Sequence, residues 1–386
     1  QAALVEGVSE VPFVDAFQRS FPDRHVDDQY FGLTWSSSFS PVHELQFRAN
    51  YSNHKVRQRW QTCPPAATLL PEMFDLYAAN PLYANTLLSG RIPTGGSATD
   101  DALAAAALAA IGRLGAAARQ PICTTPNQNL RETRLDIELQ DTYVVSERLR
   151  FVAGLGWRQE RGDMETFLGG TVSNDSHRAF ANVEYRPVDW ININAGGYFE
   201  RDDITGTSFS PRLAANFHLS PTQTVRAAIA RGTRTPDFFG QPVNWTYVAH
   251  DATPPLNGSR TVRFYQSAVS PGGLEEERIT SREIGYLLRM PQWGGLFDVR
   301  VFDDSLTNLI SEKLQVSSFE PTNRNSVRLR GAEIQTAINP SERWSLFLIY
   351  AYLNNADAST VLERTQYARH SGAIGVSHLI GDGWRW

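Results

Sequence analysis

The sequence predicts an all-β protein, an antiparallel transmembrane β-barrel with long extracellular loops and short periplasmic turns. Three observations carry that expectation. Side chains alternate apolar and polar over long stretches, tight-turn signals punctuate them, and the connections are short at one set of strand ends and long at the other. Successive strand side chains point to opposite faces, so a period of two marks a strand with one apolar and one polar face.

Taken in order, Phe31, Leu33, Trp35, Ser37 and Phe39 precede the turn "SPVH", and Leu45, Phe47, Ala49 and Tyr51 follow it, interleaved with Gln46, Arg48, Asn50 and Ser52. Leu135, Ile137 and Leu139 alternate with Asp136, Glu138 and Gln140 before the turn at "SER". Ile191, Ile193 and Ala195 alternate with Asn192, Asn194 and Gly196 after "RPVDW". Leu213, Ala215, Phe217 and Leu219 alternate with Arg212, Ala214, Asn216 and His218 before "SPTQ". Phe297, Val299 and Val301 alternate with Asp298 and Arg300 after "PQWGG", and "PSER" and "GDGW" mark two further turns. Each turn is rich in Pro, Gly, Ser or Asp, which supply fixed or positive φ and local hydrogen bonds. "WSLFLIYAYL" from Trp344 is apolar on both parities, so periodicity leaves its faces open.

The other connections run long, roughly Gln61 to Leu130, Arg161 to Asn174, Gly232 to Gly273 and Ser311 to Pro321. Short periplasmic turns and long extracellular loops are the layout of an outer-membrane barrel. A propeller would instead repeat at about 40 to 50 residues. On the barrel reading Ile137, Ile193, Leu213, Phe217 and Val299 face lipid, while Asp136, Asn192, Arg212, Asn216 and Arg300 face the interior. Phe39, Tyr143, Trp190, Phe217, Trp293, Trp344 and Trp384 lie near short turns, as an interfacial aromatic girdle requires.

Bulk properties narrow the function classes. The chain has 386 residues and a formal net charge of -5, so it offers no basic footprint and no nucleic-acid partner is expected. The longest helical apolar run, Ala102 to Ile111, is expected to be too short to span a bilayer, which needs about 20 residues. Mean hydropathy of -0.33 does not bear on a barrel, whose strands alternate. Cys63 and Cys123 are the two cysteines, with no His or Cys at metal-ligand spacing. A disulfide is the preferred reading over two free thiols and implies an oxidising compartment. The 8 histidines form no HExxH, and no GxSxG, Walker A or GxGxxG stands in a strand-turn-helix setting, so neither catalysis, a metal site nor a cofactor is expected.

Four segments in order carry a resemblance: "SPRLAANFHLSPTQTVRAAIARGTRTPDFFG" from Ser210, "LEEERITSREIGYLL" from Leu274, "VFDDSLTNLI" from Val301 and "NSVRLRGAEIQ" from Asn325. They resemble the barrel of TonB-dependent outer-membrane transporters, with Glu276 where the family has proline and Glu283, Gly285 and Tyr286 matching its strand. The resemblance implies energy-coupled uptake of a ferric siderophore or similar metal chelate in the outer membrane of a Gram-negative bacterium. It implies as partners the chelate, outer-membrane lipid, and the TonB energy-coupling complex through a plug region. Neither a plug nor a TonB-engaging box is recognisable, and the chain stops just past "GDGW". The expectation is therefore a partial barrel over residues 1–386, about 13 strands of the roughly 22 of such transporters, without plug and C-terminal strands. A passive porin and a soluble β-sandwich binding module are the alternatives.

Recognition then falls to the loops, which carry Trp60, Tyr77, Tyr83, Arg91, Trp245, Tyr247, His250, Arg260 and Tyr265. Large aromatics with Arg suit a planar or anionic chelate through stacking and cation–π contacts. Packing of the loops against themselves is the competing role for each. A short helix around Ala102 to Ala110, with Asp101 near its N-terminus, is expected to brace the first loop.

Overall fold

The computed structural model describes residues 24–236, 244–269, 272–311, 314–315, 318–319, 322–355, 358, 364–365, 367–380 and 384–385. Its main element is a 14-stranded antiparallel sheet with successive neighbours β1 (His25–Ser40), β2 (His43–Arg57), β4 (Leu130–Ser146), β5 (Leu149–Met164), β6 (Gly170–Val188), β7 (Ile191–Asp202), β8 (Gly206–Ser220), β9 (Gln223–Arg234), β12 (Glu277–Met290), β13 (Gly295–Ser311), β16 (Thr322–Ser341), β17 (Trp344–Asn354), β18 (His370–Ile380) and the two-residue β19 (Trp384–Arg385). β1 and β19 are both edges, so the described sheet is not closed. Strands run up to 20 residues, well past the 9 to 11 or so that cross a bilayer, so they project beyond it.

Register turns the alternation into two coherent faces. Asn192, Asn216, Arg226, Gly285, Arg300 and Glu333 stand side by side across six strands. One residue along, Ile193, Ala215, Ala227, Ile284, Val301 and Ala332 form the neighbouring row on the other face. A one-residue slip would exchange these faces, so the pattern itself fixes register. The apolar face is exposed where a membrane barrel meets lipid, with Leu213 at 51%, Ile284 at 59% and Leu155 at 65%. The same pairing settles β17. Leu346, Leu348, Tyr350 and Tyr352 join the apolar face opposite Ile338, Thr336, Ile334 and Ala332, while Phe347 and Ile349 share the polar face with Ala337 and Gln335.

Ion pairs bind strands together across the polar face. Arg178 reaches Asp136 at 2.6 Å and Glu138 at 3.4 Å, and Arg158 reaches the same Asp136 at 2.8 Å. Arg226 grips Asp298 through two bonds of 2.8 and 2.9 Å. Arg300 joins Glu333 at 2.7 Å and Glu283 at 3.3 Å. Glycine makes room for two of these guanidinium groups: a Cβ on Gly156 would stand 2.2 Å from Arg178 Nε, and one on Gly285 would stand 2.5 Å from Arg226 Nε.

At the turn end the aromatics gather as an interfacial girdle does. Phe39 and Tyr143 flank His43, with ring centroids 5.4 and 5.6 Å away, and Trp190 lies 6.5 Å from Phe217. Trp293 and Trp344 are exposed, whereas the side chain of Trp384 lies outside the described residues.

Several connections expected to be irregular are ordered. The stretch from Arg161 to Asn174 mostly continues β5 and β6, joined through a four-residue helix, Glu165–Leu168, that ends on Gly169 at φ 67°. Within the last of them, β14 (Leu314–Gln315) and β15 (Ser318–Phe319) pair antiparallel. The two longest connections supply a separate layer. The first contributes helices α1 (Pro71–Ala79), α2 (Pro81–Leu88) and α3 (Ala98–Leu114) and the strand β3 (Cys123–Pro126). The second contributes β10 (Asn244–Thr253) and β11 (Val262–Val269), which form a three-stranded sheet with β3.

Helix α3 departs from expectation in length. With the following 3₁₀ turn it covers Ala98–Arg119, 22 residues at hydropathy 1.4, long and apolar enough by composition to cross a membrane. It does not cross here, because the connection holding it leaves and returns at one end of the sheet, where Val56 pairs with Leu130.

Candidate ligand-recognition cap

The cap is a small folded unit with its own core. Leu69, Leu70, Met73 and Leu76 on the first connection bury against Phe264 and Tyr265 from the second. Ala104, Ala107 and Ala110 recur every three residues along α3 and are its buried stripe, small enough for close helix approach. Ser97 and Asp100 cap that helix reciprocally, the Ser97 hydroxyl accepting from the Asp100 amide at 3.1 Å and Asp100 accepting from the Ser97 amide at 2.8 Å. The capping box stands in the sequence as "SATD", directly before Asp101.

Cys63 and Cys123 form a disulfide spanning 60 residues. Beside it Thr62 and Thr124 exchange backbone bonds of 3.0 and 2.7 Å, so the neck of the first connection is closed by covalent and hydrogen bonds together.

The aromatic residues expected to meet a ligand divide sharply. Tyr77, Tyr83, Tyr247 and Tyr265 are 1 to 6% exposed and belong to the core. Tyr77 stands edge-on to Tyr265 at 5.3 Å, and the Tyr265 hydroxyl donates to Asn85 at 3.1 Å. Gln128 donates to the Tyr247 hydroxyl at 2.7 Å, and Tyr83 donates to Asp101 at 3.1 Å. Burial pushes the Tyr77 phenol up to about 12, and the Tyr247 phenol likewise to about 12 against the opposing bonds to its oxygen. Both stay neutral near pH 7 and serve packing rather than phenolate chemistry. Trp60 and Trp245 are half-buried, their rings 6.3 and 5.9 Å from Tyr247, with Phe167 stacked on Trp245 at 5.3 Å. Arg91 and Arg260 are exposed.

His250 bridges cap and sheet. Its Nε2 lies 2.9 and 3.0 Å from the Glu165 carboxylate in the β5–β6 connection. Asn127 donates to the same carboxylate at 2.9 Å. Partial burial raises the Glu165 pKa, but the bonds from His250 and Asn127 outweigh it and hold the carboxyl below the ordinary glutamate range.

A cleft of about 690 Å³ opens beside this contact, lined among others by Phe74, Asp75, Glu165, Thr246, Val248 and Arg263. The Arg263 guanidinium lies over the Phe74 ring, 5.5 Å from its centroid. None of the nine residues singled out from the sequence lines this cleft, and His250 touches its wall through Glu165 and, at 3.5 Å, through the Thr261 hydroxyl. Its aromatic-plus-guanidinium wall has the predicted chemistry, placed on different residues. Phe74 and Arg263 are 189 positions apart, and only the packing of α1 on β11 joins them.

A family model described as TonB dependent receptor-like, beta-barrel, matches residues 10–386. The chain belongs to the TonB-dependent receptor family. That family consists of outer-membrane receptors and transporters rather than enzymes. No curated protein matches this receptor-family chain. Solved structures share its fold. The siderophore receptor PirA from Pseudomonas aeruginosa is 13% identical at TM-score 0.52, with 86% of this chain and 55% of that chain covered. The FrpB iron transporter from Neisseria meningitidis is 9% identical at TM-score 0.56, with 92% and 50% covered. The copper transporter OprC is 14% identical at TM-score 0.52, again with 92% and 50% covered. The chain thus spans about half the length of the solved structures it matches.

Proposed function

We propose that this chain is the barrel portion of an outer-membrane receptor that takes up a ferric siderophore or similar metal chelate by energy-coupled transport. The observation that carries the reading is the stapled cap. A passive pore needs no separately folded, disulfide-closed unit over one end of its strands, whereas a receptor must present a preorganised surface to a scarce ligand. The cleft wall of Phe74 and Arg263 suits a flat, anionic chelate through stacking and cation–π contact. Exposed Arg91 and Arg260, with half-buried Trp60, Trp245 and His250, are further cap residues open to a ligand, while the buried tyrosines hold the cap's shape. A plug region of the full-length protein supplies the TonB contact.

The test uses the full-length receptor in iron-starved cells with a panel of radiolabelled ferric chelates. Uptake of one chelate that requires both the receptor and the energy-coupling complex is the expected result. Uptake that persists without energy coupling would mean a passive porin instead. Deleting residues 66–119 from the cap should abolish chelate binding at unchanged surface display, and unchanged binding would move the ligand site to the plug or to other loops.

A further inference from the structure

The cleft beside the His250 contact carries more charge than its stacked wall uses. Its volume of about 690 Å³ lies within the range of small-molecule sites, about 300 to 1,000 Å³. Three ionisable side chains line it: Asp75 from α1, Arg263 from β11 and Glu165 from the β5–β6 connection. Glu165 is already committed, because His250 reaches both of its oxygens and Asn127 donates to one of them. The hydroxyls on the β10–β11 turn are committed as well. Ser259 donates to the Thr261 carbonyl at 2.6 Å, and the Thr261 hydroxyl lies 3.5 Å from His250 Nδ1. Asp75 and Arg263 are different. Both are exposed, and neither has an ion-pair partner among the described residues.

These two charges line one cleft without meeting each other. The Arg263 guanidinium lies over the ring of Phe74, and Asp75 is the next residue along the same helix. The charge left to a ligand is therefore one guanidinium laid on an aromatic face and one carboxylate beside it. That pairing discriminates among chelates by sign. A chelate that is anionic throughout gains at Arg263 and is repelled by Asp75 and Glu165. A chelate that is cationic throughout gains at Asp75 and is repelled by Arg263. One with an anionic metal-bearing end and a separate cationic arm gains at both places, and electrostatic match of this kind sets specificity.

Resting on the reading of this cleft as the chelate site, we propose that its ligand is a metal chelate of mixed charge. The anionic, metal-bearing end lies over Phe74 and against Arg263, and an ammonium arm reaches Asp75. Asp75 is then the residue that sets specificity, and Glu165, held in place by His250 and Asn127, adds to the repulsion of a second anionic arm.

The experiment uses purified full-length receptor and three synthetic ferric tris-catecholates that differ in one side arm. The arm ends in a free amine, in the same amine acetylated, or in the same amine succinylated so that it carries a carboxylate. Equilibrium binding, read by quenching of tryptophan fluorescence, should favour the amine over the acetylated arm by about tenfold or more, with the carboxylate weakest. Asp75→Asn should bring the amine-to-acetyl ratio close to one. Asp75→Lys should invert the order and put the carboxylate arm first, a reversal that misfolding does not produce. Arg263→Gln should weaken all three and keep their order, and heat-modifiable migration checks that each variant is folded. An amine-to-acetyl ratio below about twofold in the unaltered receptor would overturn the proposal. So would an Asp75→Lys receptor that keeps the original order. Tight binding of all three without preference would sink the mixed-charge ligand and leave the receptor reading standing. Binding of none of them also overturns it. If the radiolabelled panel then still yields a chelate taken up by energy coupling, the receptor reading survives, and if it yields none, that reading falls too.

Discussion

Replacing Cys63 and Cys123 together with alanine should loosen the cap and leave the sheet intact, by an amount that depends on what opens. For a chain unfolded throughout, a crosslink spanning 60 residues restricts entropy by about 4 kcal/mol. Opening of the cap alone is a different reference. Val56 and Leu130 stay paired, so the two cysteines remain tethered through about fourteen residues of neck and connect in parallel with the crosslinked loop. The two paths together behave as about eleven residues, for which the same relation gives about 2.7 kcal/mol. That is about a hundredfold in the opening equilibrium. Hydrogen exchange on the full-length receptor measures it directly, because the Thr62, Ile122 and Thr124 amides are bonded across the neck. Their protection should fall about a hundredfold in the double variant, while amides in β4 and β5 keep theirs. Protection that changes less than about threefold, or an equal loss in β4 and β5, would refute the reasoning.

Three further outcomes follow from particular contacts. Leu213→Arg, on the apolar face, should cost about 2 to 4 kcal/mol in denaturant unfolding of the full-length receptor, whereas Asn216→Arg on the polar face should cost under about 1 kcal/mol. Gly156→Ala should displace Arg178 from Asp136 and Glu138 and lose about 1 to 3 kcal/mol, and that penalty should disappear when Arg178 is already alanine. Glu165 has a depressed pKa, so its bonds to His250 and Asn127 contribute fully above the ordinary glutamate range and are lost as pH falls through the lower folded value. Cap protection followed by hydrogen exchange should accordingly decline below about pH 4.5, and Glu165→Gln should remove that decline.

The sheet was legible in the sequence because a period of two is local: Ile193 and Asn192 declare opposite faces without reference to any partner. β17 was not, since "LFLIYAY" offers no polar residue to mark a face, and only pairing with Gln335 and Glu333 assigns Ile349 and Ala351. The cap was least legible. The burial of α1 depends on β11, some 185 residues distant, so neither the buried role of Tyr77 and Tyr265 nor the meeting of Phe74 with Arg263 can be read from spacing. The disulfide was accessible by elimination, because no metal-ligand spacing competed for the two thiols.

Helix α3 also bears on how such a chain leaves the cell interior. Strands that alternate reach the outer membrane because no stretch of them is apolar enough to be held in the inner one. The segment Ala98–Arg119 is the exception among the described residues, at hydropathy 1.4 over 22 residues. Its apolar content is mostly alanine rather than leucine, and Asp100, Asp101 and Arg113 interrupt both ends, where charge opposes lateral release into lipid. On the reading of the full-length protein as an outer-membrane receptor, the small side chains that let α3 pack closely in the cap should also keep it exportable. Enlarging them to leucine would trade a folding problem for an export problem, halting the chain one membrane short of its destination.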